Sequence, residues 1–253
     1  MDELFSSIIL GIGGLTGAKG RVRVGAIALA CAIALILASA ASDATPEGQI
    51  VVHGANAGST LELQVNGKRL VVTGYMARSH PRGCHFTRYR MAASCPLRNV
   101  GSIVVRMGPS GDFVRVLNRM PVPLTAYLGD GSDKFIGNGE PDTCYSEGTR
   151  RNRCVGGGSR DICITGNQNS DCVGGAGDDY CQTGAGSDGC WGGPGRDVCR
   201  MGGGEDGCHG EGGNDRLFGG PSPDRLYGGE GYDHCDGLPG WGRSETCEAG
   251  SLR

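Results

Sequence analysis

The sequence predicts an all-β protein in which a parallel β-solenoid of nine-residue repeats is preceded by a small β module. An aspartate recurs every nine residues from position 179 to position 233. Two positions after each of these residues comes a side chain that is apolar or cysteine. Glycine supplies 49 of the 253 residues and aromatic side chains only 6%, so we do not expect a conventional large core.

Residues 1–44 have the organisation of a secretory signal peptide with an extended leader. Basic residues at positions 19–23 precede an apolar run from Val24 to Leu37, and small residues follow as far as Ala44. This order predicts cleavage after Ala40 or Ala44. The alternative is an uncleaved membrane anchor, but the run is shorter than the ~20 residues that a spanning helix needs. We therefore expect a secreted, extracellular protein with no stable membrane span after cleavage.

Residues 45–127 contain five short runs of strand-forming residues, which predict a small β module. An Asn66-Gly67 turn lies between two of these runs and is a strong hairpin signal. Because a repeat array needs a cap on its open end, we expect this module to cap the solenoid. An independent binding domain is the alternative. The predicted strands are Ile50–Val52, Leu61–Val65, Leu70–Thr73, Ile103–Met107 and Phe113–Leu117.

The charge is distributed unevenly along the chain. Residues 45–127 carry ten Lys and Arg against three acids, whereas residues 128–253 carry eleven against twenty-one. Arginines and aromatic residues together can contact phosphates and stack on rings, so the basic segment 75–98 is a candidate site for an anionic cell-surface polymer. The alternatives are a solvated face and docking on the acidic half of the same molecule. The candidate side chains are Arg78, Arg82, Arg88, Arg90, Arg98, Tyr75, Phe86 and Tyr89.

Residues 128–242 form twelve nine-residue rows. The aspartate register continues backward from Asp179 through Ser170, Asp161 and Asn152 and then, after one inserted residue, through Asp142 and Asp133. The residues two positions later form a second ladder, which is expected to point inward: Phe135, Cys144, Cys154, Cys163, Cys172, Cys181, Cys190, Cys199, Cys208, Leu217, Leu226 and Cys235.

The best rows are GGAGDDYCQ (174–182), GGPGRDVCR (192–200) and GGEGYDHCD (228–236). They fit the template G-G-x-G-x-D-x-U-x, and over about 115 residues the chain resembles the RTX family of haemolysin-type calcium-binding repeats. The resemblance implies that residues 128–242 form a parallel β-roll, which folds on meeting extracellular calcium. Residues 243–253 are then a C-terminal tail. Rows 165–173 and 219–227 depart from the template, which puts their own sites in doubt.

Two consecutive rows make one coil, so the aspartates fall into two columns. Neighbouring carboxylates in a column lie about 4.8 Å apart and repel each other unless a cation lies between them. Ca²⁺ suits such a site because it accepts six to eight oxygen ligands in loose geometry, which Mg²⁺ does not. The alternative is that the aspartates only accept hydrogen bonds in their turns. The predicted ligands are Asp142, Asp161, Asp179, Asp197, Asp215 and Asp233 in the first column, and Asp133, Asp188, Asp206 and Asp224 in the second.

The columns are unequal. The first has an aspartate in every row, whereas the second has Asn152 and Ser170 in place of two of them. We therefore expect the first column to be the better occupied and the second to bind reliably only from Asp188 onward.

The chain has thirteen cysteines, most of them periodic, which indicates an oxidising compartment and disulfide bonds. Pairing along one sheet, between every second row, would fail at Leu217. Pairing across the core between consecutive rows places Leu217 opposite Leu226 and leaves no cysteine of the mature chain over. Free buried thiols are the alternative, and the absence of C-x-x-C disfavours zinc. The expected pairs are Cys144–Cys154, Cys163–Cys172, Cys181–Cys190, Cys199–Cys208, Cys235–Cys247 and, in the module, Cys84–Cys95.

These features predict a secreted, monomeric calcium-binding protein with a structural or surface-interaction role. RTX-bearing hydrolases carry H-E-x-x-H or G-x-S-x-G, and neither motif occurs in the sequence. The histidines are isolated from one another. We therefore do not expect an enzyme.

Overall fold

The computed structural model describes residues 48–76, 84–87, 91–148, 150–237, 243–245 and 247. The predicted signal peptide at residues 1–44 lies outside these ranges. Within them, no helix has the length and apolar character needed to cross a membrane. The strands are β1 (Gln49–His53), β2 (Thr60–Asn66), β3 (Arg69–Gly74), β4 (His85–Phe86), β5 (Ala92–Pro96), β6 (Ser102–Arg106), β7 (Phe113–Val116), β8 (Leu124–Tyr127), β9 (Lys134–Ile136), β10 (Asp142–Ser146), β11 (Asn152–Gly158), β12 (Ile162–Thr165), β13 (Ser170–Ala176), β14 (Tyr180–Gln182), β15 (Gly189–Pro194), β16 (Val198–Arg200), β17 (Gly207–Gly212), β18 (Arg216–Gly220), β19 (Arg225–Glu230), β20 (His234–Gly237) and β21 (Arg243–Glu245).

These strands form two sheets. The nine-stranded sheet has the order β1-β6-β8-β10-β12-β14-β16-β18-β20, and all its pairs are parallel. The twelve-stranded sheet has the order β21-β19-β17-β15-β13-β11-β9-β7-β2-β3-β5-β4. From β6 onward the chain alternates between the two sheets, one strand per row. The predicted all-β fold with a parallel β-solenoid is therefore confirmed.

Glycines make the turns between strands possible. In the row that starts at Gly174, Gly175 has φ 113° and Gly177 has φ 135°. A Cβ on Gly175 would lie 2.1 Å from the carbonyl oxygen of Gly157 in the preceding coil. Only glycine combines this backbone conformation with so close an approach of two coils.

The interior is one continuous hydrophobic cluster from Ile50 to Cys235. The second ladder of the repeat points into it, and every member from Phe135 to Cys235 is buried. In the first coils the interior side chains are aliphatic, among them Leu61, Ile103 and Val114. From Cys144 to Cys208 the interior positions of the rows are all cysteine, so the core changes from hydrocarbon to sulfur along the axis.

The solenoid begins earlier than the sequence predicted. Parallel pairing runs from β10 through β8 and β6 to β1, and from β9 through β7 to β2, so the expected boundary between residues 127 and 128 is not a break in either sheet. Leu124 takes the place of an aspartate beside Asp142, which is why the row template does not reveal this coil. Among the described strands, the antiparallel pairs are β2–β3, β3–β5 and β4–β5, at one end of the twelve-stranded sheet.

The hairpin predicted at Asn66-Gly67 joins β2 to β3, and Gly67 has φ 59°. Residues Thr45–Arg253 form one compact unit. Strands β3, β5 and β4 extend the twelve-stranded sheet at one end. That these strands cap the array stays a prediction.

Candidate metal centre

The candidate metal centre consists of the two aspartate columns. Each aspartate lies at the end of a turn, at or directly before a strand. Apart from that of Asp142, each predicted ligand's side chain reaches back to the preceding coil. All ten predicted ligands are buried, with Asp188 the most exposed at 5%. The first column runs along the N-terminal ends of the strands in the nine-stranded sheet. The second column runs along the N-terminal ends of the strands in the twelve-stranded sheet.

Each column is held by hydrogen bonds that link one coil to the next. The backbone N–H of Asp161 donates to Oδ1 of Asp179 at 2.7 Å, and the N–H of Asp179 donates to Oδ1 of Asp197 at the same distance. The pattern continues to Asp233. Nine of the ten predicted ligands thus accept a hydrogen bond from the preceding coil. Asp142 accepts one within its own turn, from the N–H of Asn138.

The second oxygen of each carboxylate has a different role. In all ten predicted ligands one buried carboxylate oxygen has no hydrogen-bond partner: Oδ1 in Asp142 and Oδ2 in the other nine. A buried charged oxygen without a partner is costly, so a stack of them calls for a cation. Oxygen ligands of this kind suit Ca²⁺.

The first glycine of a row provides the space beside this oxygen. A Cβ built on Gly174 would lie 2.4 Å from Oδ2 of Asp179 and 2.7 Å from the carbonyl oxygen of Gly192. Because Gly174 has no side chain, a cradle bounded by a carboxylate and a carbonyl stays open. The same pair of oxygens recurs at Gly192 and Gly210. At Gly137 the carboxylate oxygen is Oδ2 of Asp142, which accepts the N–H of Asn138. The residues present therefore fit a calcium ion.

This first glycine distinguishes the two columns, and the sequence reasoning missed it. Every row of the first column begins with glycine, from Gly137 to Gly228. In the second column only the last row does, and in three earlier rows side chains take up the space that glycine leaves open in the first column. The signal was present in the sequence as a glycine missing from every second row. These three second-column positions hold the buried residues Thr165, Thr183 and Met201, and the last row begins with Gly219.

Burial changes the acidity of the columns. Desolvation is the main cause that raises the pKa of Asp161 to about 8 and the pKa of Asp142 and Asp197 to about 7. Hydrogen bonds from backbone N–H groups oppose the shift, and neighbouring aspartates add to it. Without a cation, these carboxylates therefore hold protons near neutral pH.

The second column starts one coil earlier than predicted, at Asp112. Its N–H donates to Oδ1 of Asp133, and its own oxygens accept from the N–H groups of Ser59 at 2.6 Å and Gly108 at 3.2 Å. Both oxygens are therefore satisfied by the chain itself. We interpret Asp112 as the structural end of the column rather than as a metal ligand.

The middle of the second column has no carboxylate. Asn152 accepts the N–H of Asp133 in the usual way, and the N–H of Ser170 donates to Asp188. The nearby Asp171 pairs with Arg151 and Arg153 instead of joining the column. The middle of the second column therefore offers fewer metal ligands than the rest of the column.

Five disulfide bonds join the described cysteines. Cys84–Cys95, Cys144–Cys154 and Cys235–Cys247 are bonded as predicted. The predicted pairs Cys163–Cys172, Cys181–Cys190 and Cys199–Cys208 are wrong, because the bonds are Cys172–Cys181 and Cys190–Cys199. Each interior cysteine faces both the preceding and the following row, so the pairing can shift by one row. Cys163 and Cys208 are free and buried, and burial raises the pKa of both thiols well above the usual value.

Five of the eight candidate side chains of the predicted polymer-binding segment lie outside the described residues. Arg78, Arg82, Arg88, Arg90 and Tyr89 are among the residues not described. Tyr75 is 61% exposed, and Phe86 lies in β4. Binding of an anionic polymer by this segment stays a prediction.

Comparison with known proteins agrees with the geometry of the columns. Residues 173–199 and 209–240 match the sequence profile of the RTX calcium-binding nonapeptide repeat, in four copies. Residues 173–240 are an RTX repeat array. The match includes the first-column rows that begin at Gly174, Gly192, Gly210 and Gly228. No curated protein and no solved structure matches the chain.

Proposed function

We propose that the protein is a secreted calcium-binding protein whose aspartate columns bind Ca²⁺ between stacked turns of a disulfide-crosslinked RTX β-roll. The observation that carries the proposal is the row of buried carboxylate oxygens that have no partner in the chain. The resemblance of the repeats to a calcium-binding family supports the choice of metal. Five disulfides support an oxidising, extracellular location.

The two oxygens of each aspartate have different roles in the proposed site. The orphaned oxygen of each aspartate and the carbonyl of the first glycine in the next coil supply ligands, while the other carboxylate oxygen keeps the coils in register. A bound Ca²⁺ supplies the positive charge that the stacked carboxylates lack. The role is structural: calcium makes the array rigid, and the array then presents its surfaces to partners outside the cell. We expect a monomer without catalytic activity.

The experiment compares two neighbouring aspartates. In Asp179→Asn, the orphaned carboxylate oxygen becomes an amide, which neither carries a charge nor accepts as well. In the control Asp178→Asn, the same charge is removed at an exposed residue whose Oδ1 accepts the N–H of Arg196. Calorimetric titration of the oxidised chain with CaCl₂ should show at least one site fewer, or roughly tenfold weaker binding, for Asp179→Asn only.

Two results would contradict the proposal. The first is that the unsubstituted chain takes up no calcium, which would leave a solenoid stabilised by disulfides alone. The second is an equal effect of the two substitutions, which would indicate a diffuse effect of charge rather than a site in the column.

A further inference from the structure

The sulfur ladder in the core is a feature that calcium binding does not use. Six cysteines from Cys163 to Cys208 occupy consecutive rows, and they alternate between the two sheets. The four inner ones form the bonds Cys172–Cys181 and Cys190–Cys199, while the two end members are free thiols. The ladder therefore holds thiols and disulfides side by side in one interior.

The sulfur atoms are close enough to exchange partners. The Sγ atoms of Cys163, Cys172 and Cys181 all lie within 4.8 Å of one another. The Sγ atoms of Cys181, Cys190 and Cys199 do the same. Cys163 is thus next to one disulfide, and the far sulfur of that disulfide is next to the second one. Exchange requires this arrangement, in which a thiol sulfur reaches a disulfide sulfur.

The packing at this end of the ladder also leaves some room. A small cavity of about 10 Å³ is lined by Phe135 and, among others, by Cys144, Cys154, Cys163 and Cys181. A cysteine needs only a rotation about its Cα–Cβ bond to direct its sulfur to a different neighbour. The backbone and its hydrogen bonds can therefore stay in place while the sulfurs change partners.

We propose that the core is a thiol relay, in which a free thiol moves from Cys163 to Cys199 by two internal disulfide exchanges. In the first step Cys163 loses its proton and bonds to Cys172, the Cys172–Cys181 bond breaks, and Cys181 takes up a proton. In the second step Cys181 bonds to Cys190, the Cys190–Cys199 bond breaks, and Cys199 takes up a proton. No electron is gained or lost by the chain.

The relay ends with two thiols in neighbouring rows, Cys199 in β16 and Cys208 in β17. A low-molecular-weight disulfide such as oxidised glutathione can then remove two electrons and two protons from this pair. It leaves as two thiols, and the chain gains a Cys199–Cys208 bond. All six cysteines are then paired in the frame Cys163–Cys172, Cys181–Cys190 and Cys199–Cys208. The ladder can therefore take up one oxidant equivalent after folding without moving its strands.

The test uses the full chain with Cys208→Ser, which leaves five ladder cysteines and hence one thiol. The oxidised, calcium-loaded variant is incubated without added thiol, sampled over a day, acidified, unfolded and alkylated, and the label is located by mass spectrometry. We expect the label on Cys163 to decrease with time. The label on Cys181 and Cys199 together should increase by the same amount. Cys172 and Cys190 should stay unlabelled, because each exchange moves the thiol by two rows along one sheet.

The control is the double variant Cys163→Ser with Cys208→Ser, which keeps both disulfides but has no thiol to start the relay. Its ladder should stay unlabelled at all times. Label confined to Cys163 throughout, or label on Cys172 or Cys190, overturns the proposal. If circular dichroism shows that either variant has lost its β structure, the same mapping of thiols and disulfides is carried out on the unsubstituted chain and tests the relay there. A Cys163–Cys172 peptide supports the relay, and thiols found only at Cys163 and Cys208 contradict it.

Discussion

At the scale of single residues, the first glycine of a row shapes the proposed metal site together with the aspartate. Gly192 leaves open the space between Oδ2 of Asp197 and the carbonyl oxygen of Gly210, which lie 2.4 Å and 2.8 Å from the position of a Cβ. Its backbone conformation is ordinary, so only the missing side chain is required there. The sequence motif is therefore a steric requirement as well as a turn signal.

This requirement can be tested by adding a single methyl group. Gly192→Ala should weaken calcium binding by about 1–3 kcal/mol at one site, since the methyl group crowds both oxygens. Gly207→Ala is the matched control, because no atom lies within 4 Å of its Cβ position. Calcium titration of the two variants measures the difference. Equal affinities would show that the cradle beside Asp197 is not where the ion binds.

At the scale of elements, the coils do not depend equally on calcium. Strands β1, β2, β6 and β7 enclose aliphatic side chains such as Leu63, Val105 and Val116, and no orphaned carboxylate lies beside them among the described residues. Strands β14 to β20 enclose sulfur and two leucines and lie between the aspartate columns. We therefore expect apolar burial to stabilise the first coils, and disulfides together with the proposed calcium ions to stabilise the later coils.

We expect chelator to separate these two parts of the array. With disulfides intact and calcium removed, hydrogen exchange should stay slow in residues 49–136 and become fast in the coils after residue 161. Reductant added together with chelator should make exchange in these coils faster still, because the disulfides that restrain them are then lost. Circular dichroism should accordingly show partial loss of β structure in chelator alone. Complete unfolding by chelator with the disulfides intact would contradict this prediction.

Aromatic stacking on the outer face of the later coils makes a smaller contribution to their stability. The rings of Trp191, His209 and Tyr227 stack on successive strands, with centroids 6.1 Å and 4.7 Å apart. Parallel in-register strands bring equivalent side chains one above the other, so a repeat places like residues in contact. This aromatic column extends the ladder arrangement to the surface of the twelve-stranded sheet.

At the scale of the whole molecule, stability and calcium binding should respond to pH in opposite directions. In the calcium-free chain the column carboxylates have raised pKa values, about 8 for Asp161 and about 7 for Asp133 and Asp206. An unfolded aspartic acid has a pKa near ~3.9. Between about pH 4 and pH 8 the folded chain thus binds more protons than the unfolded chain, and its stability falls as the pH rises.

Calcium removes this dependence, because the calcium-bound folded chain and the unfolded chain both carry deprotonated carboxylates in this range. We expect thermal unfolding in chelator to shift to lower temperature from pH 5 to pH 8. With saturating calcium the midpoint should change little over the same range. Melting curves at several pH values, with and without calcium, measure both slopes. Parallel slopes in the two series would mean that the columns do not bind the metal.

The sequence by itself determined the regular part of this protein. A nine-residue period fixes where the turns fall, and the alternation of consecutive rows assigns Asp179 and Asp188 to opposite edges. It also places the cysteine ladder inside, because the residue two positions after a turn aspartate points into the coil. Fold class, columns and interior follow from local chemistry that repeats.

Only the tertiary structure decided the ends of the array and the disulfide frame. The first coils lack the template, with Leu124 where an aspartate would stand, so only strand pairing reveals them. The Sγ atoms of Cys163, Cys172 and Cys181 all lie within 4.8 Å of one another, and the sequence spacing from Cys172 is the same to either neighbour. Which neighbour it bonds is a property of the packed sheets, and it leaves Cys163 and Cys208 as thiols.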